Sequence, residues 1–243
     1  MIKDTTQWYK SWFDTPFYHI LYKDRNQHEA QRFMDNLSKY LNLTPDSKIL
    51  DLACGRGRHS KYLNSLGYDV TGVDLSENSI AHAKQFETEK LHFKVHDMCS
   101  PCEEEFDAVL NLFTSFGYFD NDENNLATIK AIKHNLNTYG LGVIDFMNKD
   151  FVVSNLVPEE TKTMEGIDFH LKRYLKDGYV FKDISFSYEG QEYKFQERVK
   201  ALSLEDFESL FEKADVYLLD VFGDYNLRKF YKASSERLIM IFK

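Results

Sequence analysis

The sequence predicts a doubly wound α/β protein: a mostly parallel, seven-stranded Rossmann-like sheet with a small antiparallel sheet inserted into it. Two changes of rhythm carry that expectation. Between Lys48 and Phe146 short apolar runs alternate with amphipathic ones across short connections, as parallel strands do when crossover helices cover both faces of a sheet. After Phe146 the period drops to two with tight turns between runs, which predicts antiparallel hairpins. A third observation locates function. The first apolar run, Ile49-Leu50-Asp51-Leu52, enters Ala53-Cys54-Gly55-Arg56-Gly57 and then turns helical, so the chain has a glycine turn at the end of a strand, where ligands of such folds bind.

The chain of 243 residues is long enough to bury a sizeable core, and 20 Phe with 15 Tyr make that core aromatic. A net charge of −9 without a run of five Lys or Arg disfavours bulk nucleic acid as a partner. Met1-Ile2-Lys3-Asp4-Thr5-Thr6-Gln7 lacks the apolar centre of a signal peptide, and no segment approaches the roughly 20 apolar residues of a membrane span. A cytoplasmic protein without a membrane is expected, and a homodimer is compatible with the sequence. Three cysteines cannot pair completely, and Cys99-Ser100-Pro101-Cys102 is a lone C-x-x-C in a loop rather than a redox or zinc motif. The eight histidines are scattered. No metal is expected.

In order, residues 1–46 read as an aromatic helical segment. Trp8, Tyr9, Trp12, Phe13, Phe17, Tyr18, Leu21 and Tyr22 are followed by Ala30, Phe33, Met34, Leu37 and Leu41 on one helical face. The segment either packs on the main body or covers a pocket as a lid, with Tyr18 or Tyr22 over the opening. Strands are predicted at Lys48–Leu52, Tyr68–Asp74, Leu91–Val95, Phe106–Leu112 and Leu141–Phe146, with Tyr139-Gly140 breaking the chain before the fifth. Helices fall at Arg58–Leu66, Glu77–Phe86 and Asn124–Leu136. The alternating runs Ile167–Leu171, Ile184–Tyr188 and Tyr193–Phe195 form the insertion, bounded at residues 148–202. Ser203-Leu204-Glu205-Asp206 caps a helix carrying Phe207, Leu210 and Phe211, and strands at Val216–Phe222 and Leu238–Phe242 rejoin the sheet. The core then comprises 47–147 and 203–243 of a single domain, 1–243.

Several carboxylates and one amide stand at predicted strand ends. Asp51 precedes the glycine turn, Asp74 follows 23 positions later, Asp97 lies just past the third strand, and Asn111-Leu112-Phe113 closes the fourth. An acid about 20 residues beyond a glycine turn is placed to bind ribose hydroxyls. Asp74 and Asp97 could instead cap the turns that follow them, and Gly55 and Gly57 could serve packing alone. A dinucleotide site wants a third glycine where Ser60 stands, and Asp51 would repel a pyrophosphate. A cationic ligand suits that turn better.

Asp51-Leu52-Ala53-Cys54-Gly55-Arg56-Gly57, Val73-Asp74-Leu75-Ser76, His96-Asp97-Met98 and Phe106-Asp107-Ala108-Val109 resemble the successive motifs of class I S-adenosylmethionine-dependent methyltransferases. The resemblance covers Lys48–Phe146. It implies S-adenosyl-L-methionine as cofactor, with Gly55 and Gly57 beneath its methionine moiety and Asp51 near its amino group. It also places Asp74 on the ribose, Asp97 and Met98 on the adenine, and the Asn111 carbonyl near the amine with Leu112 and Phe113 beside it. Ala53, Cys54, Leu75, His59 and Tyr18 complete the implied cofactor set. The inserted sheet and the loop Phe113-Thr114-Ser115-Phe116-Gly117-Tyr118 are similar to those of the small-molecule group that includes glycine and sugar-amine N-methyltransferases. A small-molecule methyl acceptor, plausibly an amine, is implied. Tyr22, Tyr118, Asp145 and Asn148 are the candidates on the acceptor side. Tyr18, His59, Tyr118, Asp145 and Asn148 are near enough to the crevice to act on a proton, and none is assigned a catalytic role. The alternatives are a protein that binds the cofactor without catalysis and a nicotinamide-dependent oxidoreductase.

Overall fold

The computed structural model describes residues 8–23, 27–119 and 121–243. The N-terminal heptapeptide, on which the expectation about a signal peptide rests, lies outside them. Among the described residues no helix is long and apolar enough to cross a membrane.

Five parallel strands form the centre: β1 Lys48–Leu52, β2 Asp69–Asp74, β3 Leu91–Val95, β4 Phe106–Asn111 and β5 Leu136–Met147. β10 (Leu218–Phe222) and β11 (Arg237–Phe242) complete a seven-stranded sheet in the order β10-β11-β5-β4-β1-β2-β3, with β11 antiparallel to both of its neighbours. The order reverses between β1 and β4. Carboxyl ends on either side of that point diverge and leave a crevice.

Burial explains the strand sequences. β1 and β4 are covered on both faces, so Ile49, Leu50, Val109 and Leu110 run without alternation. One face packs α3 (Gln27–Tyr40), α4 (Arg58–Ser65) and α5 (Glu77–Ala83) through Phe33, Leu37, Leu63 and Ile80. The other packs α6 (Asp122–Asn135) and α8 (Leu204–Ala214) through Ile129, Ile132, Phe207 and Phe211. The predicted capping box of α8 is present: Ser203 accepts from the Asp206 N–H and Asp206 accepts from the Ser203 N–H.

Some boundaries differ from the sequence expectation. β5 starts at Leu136 and runs through Gly140, where a break was expected. The ladder shifts register opposite Phe106 and Ala108, and a Cβ on Gly140 would stand 2.6 Å from the Phe106 carbonyl oxygen, so the glycine permits close strand approach. α5 gives way to a 3-10 turn at Lys84–Phe86. β10 starts at Leu218 rather than Val216.

The insertion begins with the short helix α7 (Lys149–Ser154) and continues as four strands: β6 Glu159–Met164, β7 Ile167–Lys176, β8 Tyr179–Tyr188 and β9 Gln191–Lys200, an antiparallel meander. Three alternating runs had been expected. The fourth strand, β6, has the sequence Glu-Glu-Thr-Lys-Thr-Met and lies at a largely exposed edge, so no apolar alternation marks it. The remaining helices, α1 (Trp8–Phe13) and α2 (Pro16–Leu21), lay their aromatic side chains on this sheet around Phe169, Ile184 and Phe186. They do not share the packing of α3, so the expected N-terminal segment divides into a pair of short helices over the insertion and a core helix.

Candidate functional site

The β1 turn is built on left-handed backbone. Ala53, Gly55 and Gly57 have φ of 60°, 56° and 73°. The two glycines have different jobs. A Cβ on Gly55 would meet nothing within 4 Å and the residue lines the cleft, whereas a Cβ on Gly57 would lie 2.5 Å from the Phe93 ring. Gly57 therefore lies below the ligand surface, at the N-cap of α4, where it makes room for Phe93.

Three carboxylates converge above the turn. Asp51, 2% exposed, accepts a hydrogen bond from Ser60 Oγ at 2.6 Å. Burial pushes its carboxyl up to about 7, against the lowering effect of Ser60 and with help from the nearby Asp74 charge. Asp74 accepts from the N–H groups of Gly55 (2.9 Å) and Ser76 (2.8 Å), one on each oxygen, and burial raises its carboxyl as well. Asp97 accepts from the Cys99 N–H at 2.9 Å. The turn-capping role foreseen for Asp74 and Asp97 is thus real and leaves further lone pairs on the cleft side. Burial also raises the Cys54 thiol well above its usual range.

The loop after β4 forms the opposite wall. Phe113 and Thr114, neither a glycine, have φ of 58° and 61°, a conformation costing roughly 1–3 kcal/mol per residue unless its surroundings impose it. The Phe113 N–H donates to Asp145 Oδ2 at 2.8 Å, the Thr114 N–H to the Asp145 carbonyl at 3.0 Å, and Arg237 to Thr114 Oγ1 at 2.9 Å. The Phe113 ring then stacks on His59, with centroids 4.4 Å apart. Arg58 donates to His59 Nε2 at 2.8 Å, so that nitrogen acts as an acceptor.

Aromatic groups roof the cleft. Phe13 packs on Tyr18 and Tyr118, and Trp8 meets Tyr118 edge to face. Trp12 Nε1 and the Tyr22 hydroxyl both donate to Glu197 Oε1, at 2.8 and 2.6 Å, tying α1 and α2 to β9. Asp14, between the two helices, bonds Ser76 beyond β2. α1 and α2 thereby bridge insertion and core over the opening.

The cleft measures about 410 Å³. Of the predicted residues it is lined by Tyr18, Asp51, Ala53, Cys54, Gly55, His59, Asp74, Leu75, Asp97, Met98, Leu112 and Phe113, with Tyr22 and Tyr118 on the roof side. Gly57, Asn111, Asp145 and Asn148 do not line it. Asn111 is fully buried beneath, its amide 3.5 Å from the Leu52 carbonyl and its Oδ1 without a partner among the described residues. Asp145 pairs with Arg237 under the Phe113 loop. Asn148 caps α7 and donates to the carbonyls of Lys232 and Ser235, fixing the approach to β11. Sequence periodicity did not point to Tyr9, His19, Arg56, Arg58, Ser115 and Phe119, which also face the cleft. Arg56 and Arg58 were legible in principle, because they interleave with the glycines of a turn already singled out.

The C-x-x-C cysteines hold separate positions: Cys99 Sγ sits 3.5 Å from Thr128 Oγ1, while the Cys102 main chain is held by Asn135. Burial raises both thiols, Cys99 to about 11, which opposes thiolate chemistry.

Comparison with known proteins places this geometry. Residues 49–140 match the family described as "Methyltransferase domain". The chain is 26% identical over 231 residues to a Bacillus subtilis (strain 168) protein described as a methyltransferase, YqeM, covering 85% of this chain and 92% of that one. It is 30% identical over 131 residues to the Streptomyces venezuelae dTDP-3-amino-3,4,6-trideoxy-alpha-D-glucopyranose N,N-dimethyltransferase, spanning 53% of this chain and 54% of that enzyme, about half its length. Among solved structures, an S-adenosylmethionine-dependent methyltransferase from Clostridium acetobutylicum shares the fold with a TM-score of 0.78, at 20% identity over 93% of this chain and 95% of that one.

Proposed function

We propose that the chain is a class I S-adenosylmethionine-dependent methyltransferase related to the small-molecule amine and sugar N-methyltransferases, and that it methylates a small amine in the cleft beneath α1 and α2. The observation that carries the proposal is the convergence of Asp51, Asp74 and Asp97 on one cleft with the open face of Gly55.

The residues present fit the cofactor. A carboxylate beside a bare glycine receives a cationic amino-acid moiety, Asp74 has lone pairs beyond its two backbone bonds for ribose hydroxyls, and Asp97 with Met98 offers an acceptor and an apolar surface for adenine. S-adenosylmethionine supplies a methyl group already activated on a sulfonium. The chain's own contribution is to position and to keep water away, effects that in favourable cases account for roughly 7–11 kcal/mol of a barrier. Asp51 balances positive charge at the turn, Phe113 and Leu112 wall the cleft, and the aromatic roof of Phe13, Tyr18 and Tyr118 excludes solvent from it. Ser60 is committed to Asp51, which removes the seat a dinucleotide pyrophosphate would need.

The amine class is supported by the amino-sugar relative, described as an N,N-dimethyltransferase, and by the low requirement for a base when an amine arrives with its lone pair free. The same proposal covers the setting: a cytoplasmic protein acting on dissolved metabolites rather than bulk nucleic acid, with self-association to be read by sedimentation. Titration calorimetry with S-adenosylmethionine and S-adenosylhomocysteine tests the cofactor, and absence of heat at millimolar ligand would refute it. Mass-spectrometric screening of amine, carboxylate and hydroxyl metabolites with the cofactor-loaded protein tests the acceptor. Methylation confined to hydroxyls would overturn the amine class.

A further inference from the structure

Asp145, fully buried, and Arg237, partly buried, form an ion pair at 2.7 Å that lines no part of the cleft, yet every bond it makes toward the cleft goes to its Phe113–Thr114 wall. We propose that the two are positioning residues: they hold Phe113 and Thr114 in left-handed backbone and so fix the Phe113 ring against His59. That the wall serves a bound cofactor rests on the function proposed above.

The geometry is specific. Asp145 Oδ2 takes the Phe113 N–H and Oδ1 takes Arg237 Nε at 2.8 Å, while Arg237 Nη2, itself 2.7 Å from the same Oδ1, donates to Thr114 Oγ1. The Thr114 N–H closes on the Asp145 carbonyl. Tyr225 backs the arrangement, its hydroxyl 3.4 Å from Asp145 Oδ2 and its ring against Phe113 and Phe33. Asp145 faces Ile239 across the β5–β11 ladder, and Arg237 faces Met147. An ion pair withdrawn from water is by itself weak evidence of stability, since apolar side chains of similar volume often replace one at little loss. What an apolar pair could not do is accept from one loop residue and donate to the next. Neither charged residue reaches the ligand space, so both act through Phe113.

The test uses the full chain. In Asp145→Asn, S-adenosylhomocysteine should bind at least tenfold more weakly than in the parent protein, and the ring-current shift of the His59 Cε1 proton should relax toward the value of a free imidazole. Adding Thr114→Gly, which takes the left-handed conformation without strain, should restore at least half of the lost affinity on a logarithmic scale. Weakened binding without that rescue signifies general damage and overturns the proposal, as do unchanged affinity and an unchanged His59 shift. Should Asp145→Asn fail to fold, Thr114→Val removes only the hydroxyl that Arg237 holds. A two- to fivefold weaker affinity with a moved His59 resonance is expected there, and no change overturns the assignment. If the parent protein binds no S-adenosylhomocysteine, the cofactor reading fails, while the His59 resonance of the variants still decides the positioning role.

Discussion

Ser60 donates its hydroxyl hydrogen to Asp51 Oδ2 at 2.6 Å, and both side chains are buried. The position where a dinucleotide fold carries its third glycine is thus given to a residue that orients Asp51. Burial, against the lowering effect of Ser60, makes Asp51 sensitive to pH. Its folded-state carboxyl titrates at about 7 against an ordinary 3.8, so the folded protein keeps a proton that the unfolded chain has released. Stability from this group therefore falls as pH rises from about 4 to about 7. Urea midpoints of the parent should drop between pH 5 and pH 7.5 relative to those of Asp51→Asn, and parallel curves would show that Asp51 does not titrate there. Because a cationic ligand favours the carboxylate, binding of S-adenosylmethionine should release protons near pH 6.5. Calorimetry in buffers of different ionisation enthalpy reads that release directly.

The two glycines of the turn predict opposite phenotypes. Gly57→Ala puts a Cβ 2.5 Å from Phe93 at φ 73°, combining overpacking with left-handed strain, and should destabilise by roughly 2–5 kcal/mol. Gly55→Ala meets open space at φ 56° and should cost about 1–2 kcal/mol of stability. It should nonetheless weaken S-adenosylhomocysteine binding strongly, because the methyl group enters the cleft. Melting temperature and affinity measured on both variants separate the two roles, and equal stability losses would contradict the assignment.

These roles mark the limit of what the sequence could reveal. Asp51, Asp74 and Asp97 were legible because each sits where an apolar strand stops, and parallel topology brings such ends to one side of a sheet. Gly57 was not distinguishable from Gly55, since what separates them is Phe93, delivered by a different strand. Asp145 stood at a strand end like the others, but its partner Arg237 is 92 positions away and leaves no periodic trace. It therefore read as an acceptor-side acid when the structure places it under the wall. β6 was missed for a related reason: an exposed edge strand needs no apolar face.

Asp74 is an anchor as well as a proposed ribose ligand. Its two oxygens take the Gly55 and Ser76 N–H groups, so Asp74→Asn opposes an amide donor to one of those N–H groups. About 1–3 kcal/mol of stability should be lost for the unmet bond, together with cofactor affinity. Thermal melts and S-adenosylhomocysteine titration should move together. Weaker binding at unchanged stability would mean that the glycine turn is held without Asp74.

Glu197 decides whether the roof stays down. Helices α1 and α2 have six residues each, too short to persist without tertiary contacts. Trp12 Nε1 and the Tyr22 hydroxyl donate to the same Glu197 oxygen, and Lys182 stands 3.7 Å from the other. Glu197→Ala leaves these partly buried donors without their shared acceptor, at about 1–3 kcal/mol for an unmet bond. Because the two helices can lift while the seven-stranded sheet stays folded, the loss should appear as local opening rather than a lower global stability. Amide hydrogens of α1 and α2 should exchange roughly 10- to 100-fold faster, the tryptophan emission should shift to the red, and exchange from β1 and β4 should stay unchanged. Uniform acceleration throughout the chain would instead make Glu197 part of the global core, and unchanged exchange in α1 and α2 would remove it from the closure of the cleft.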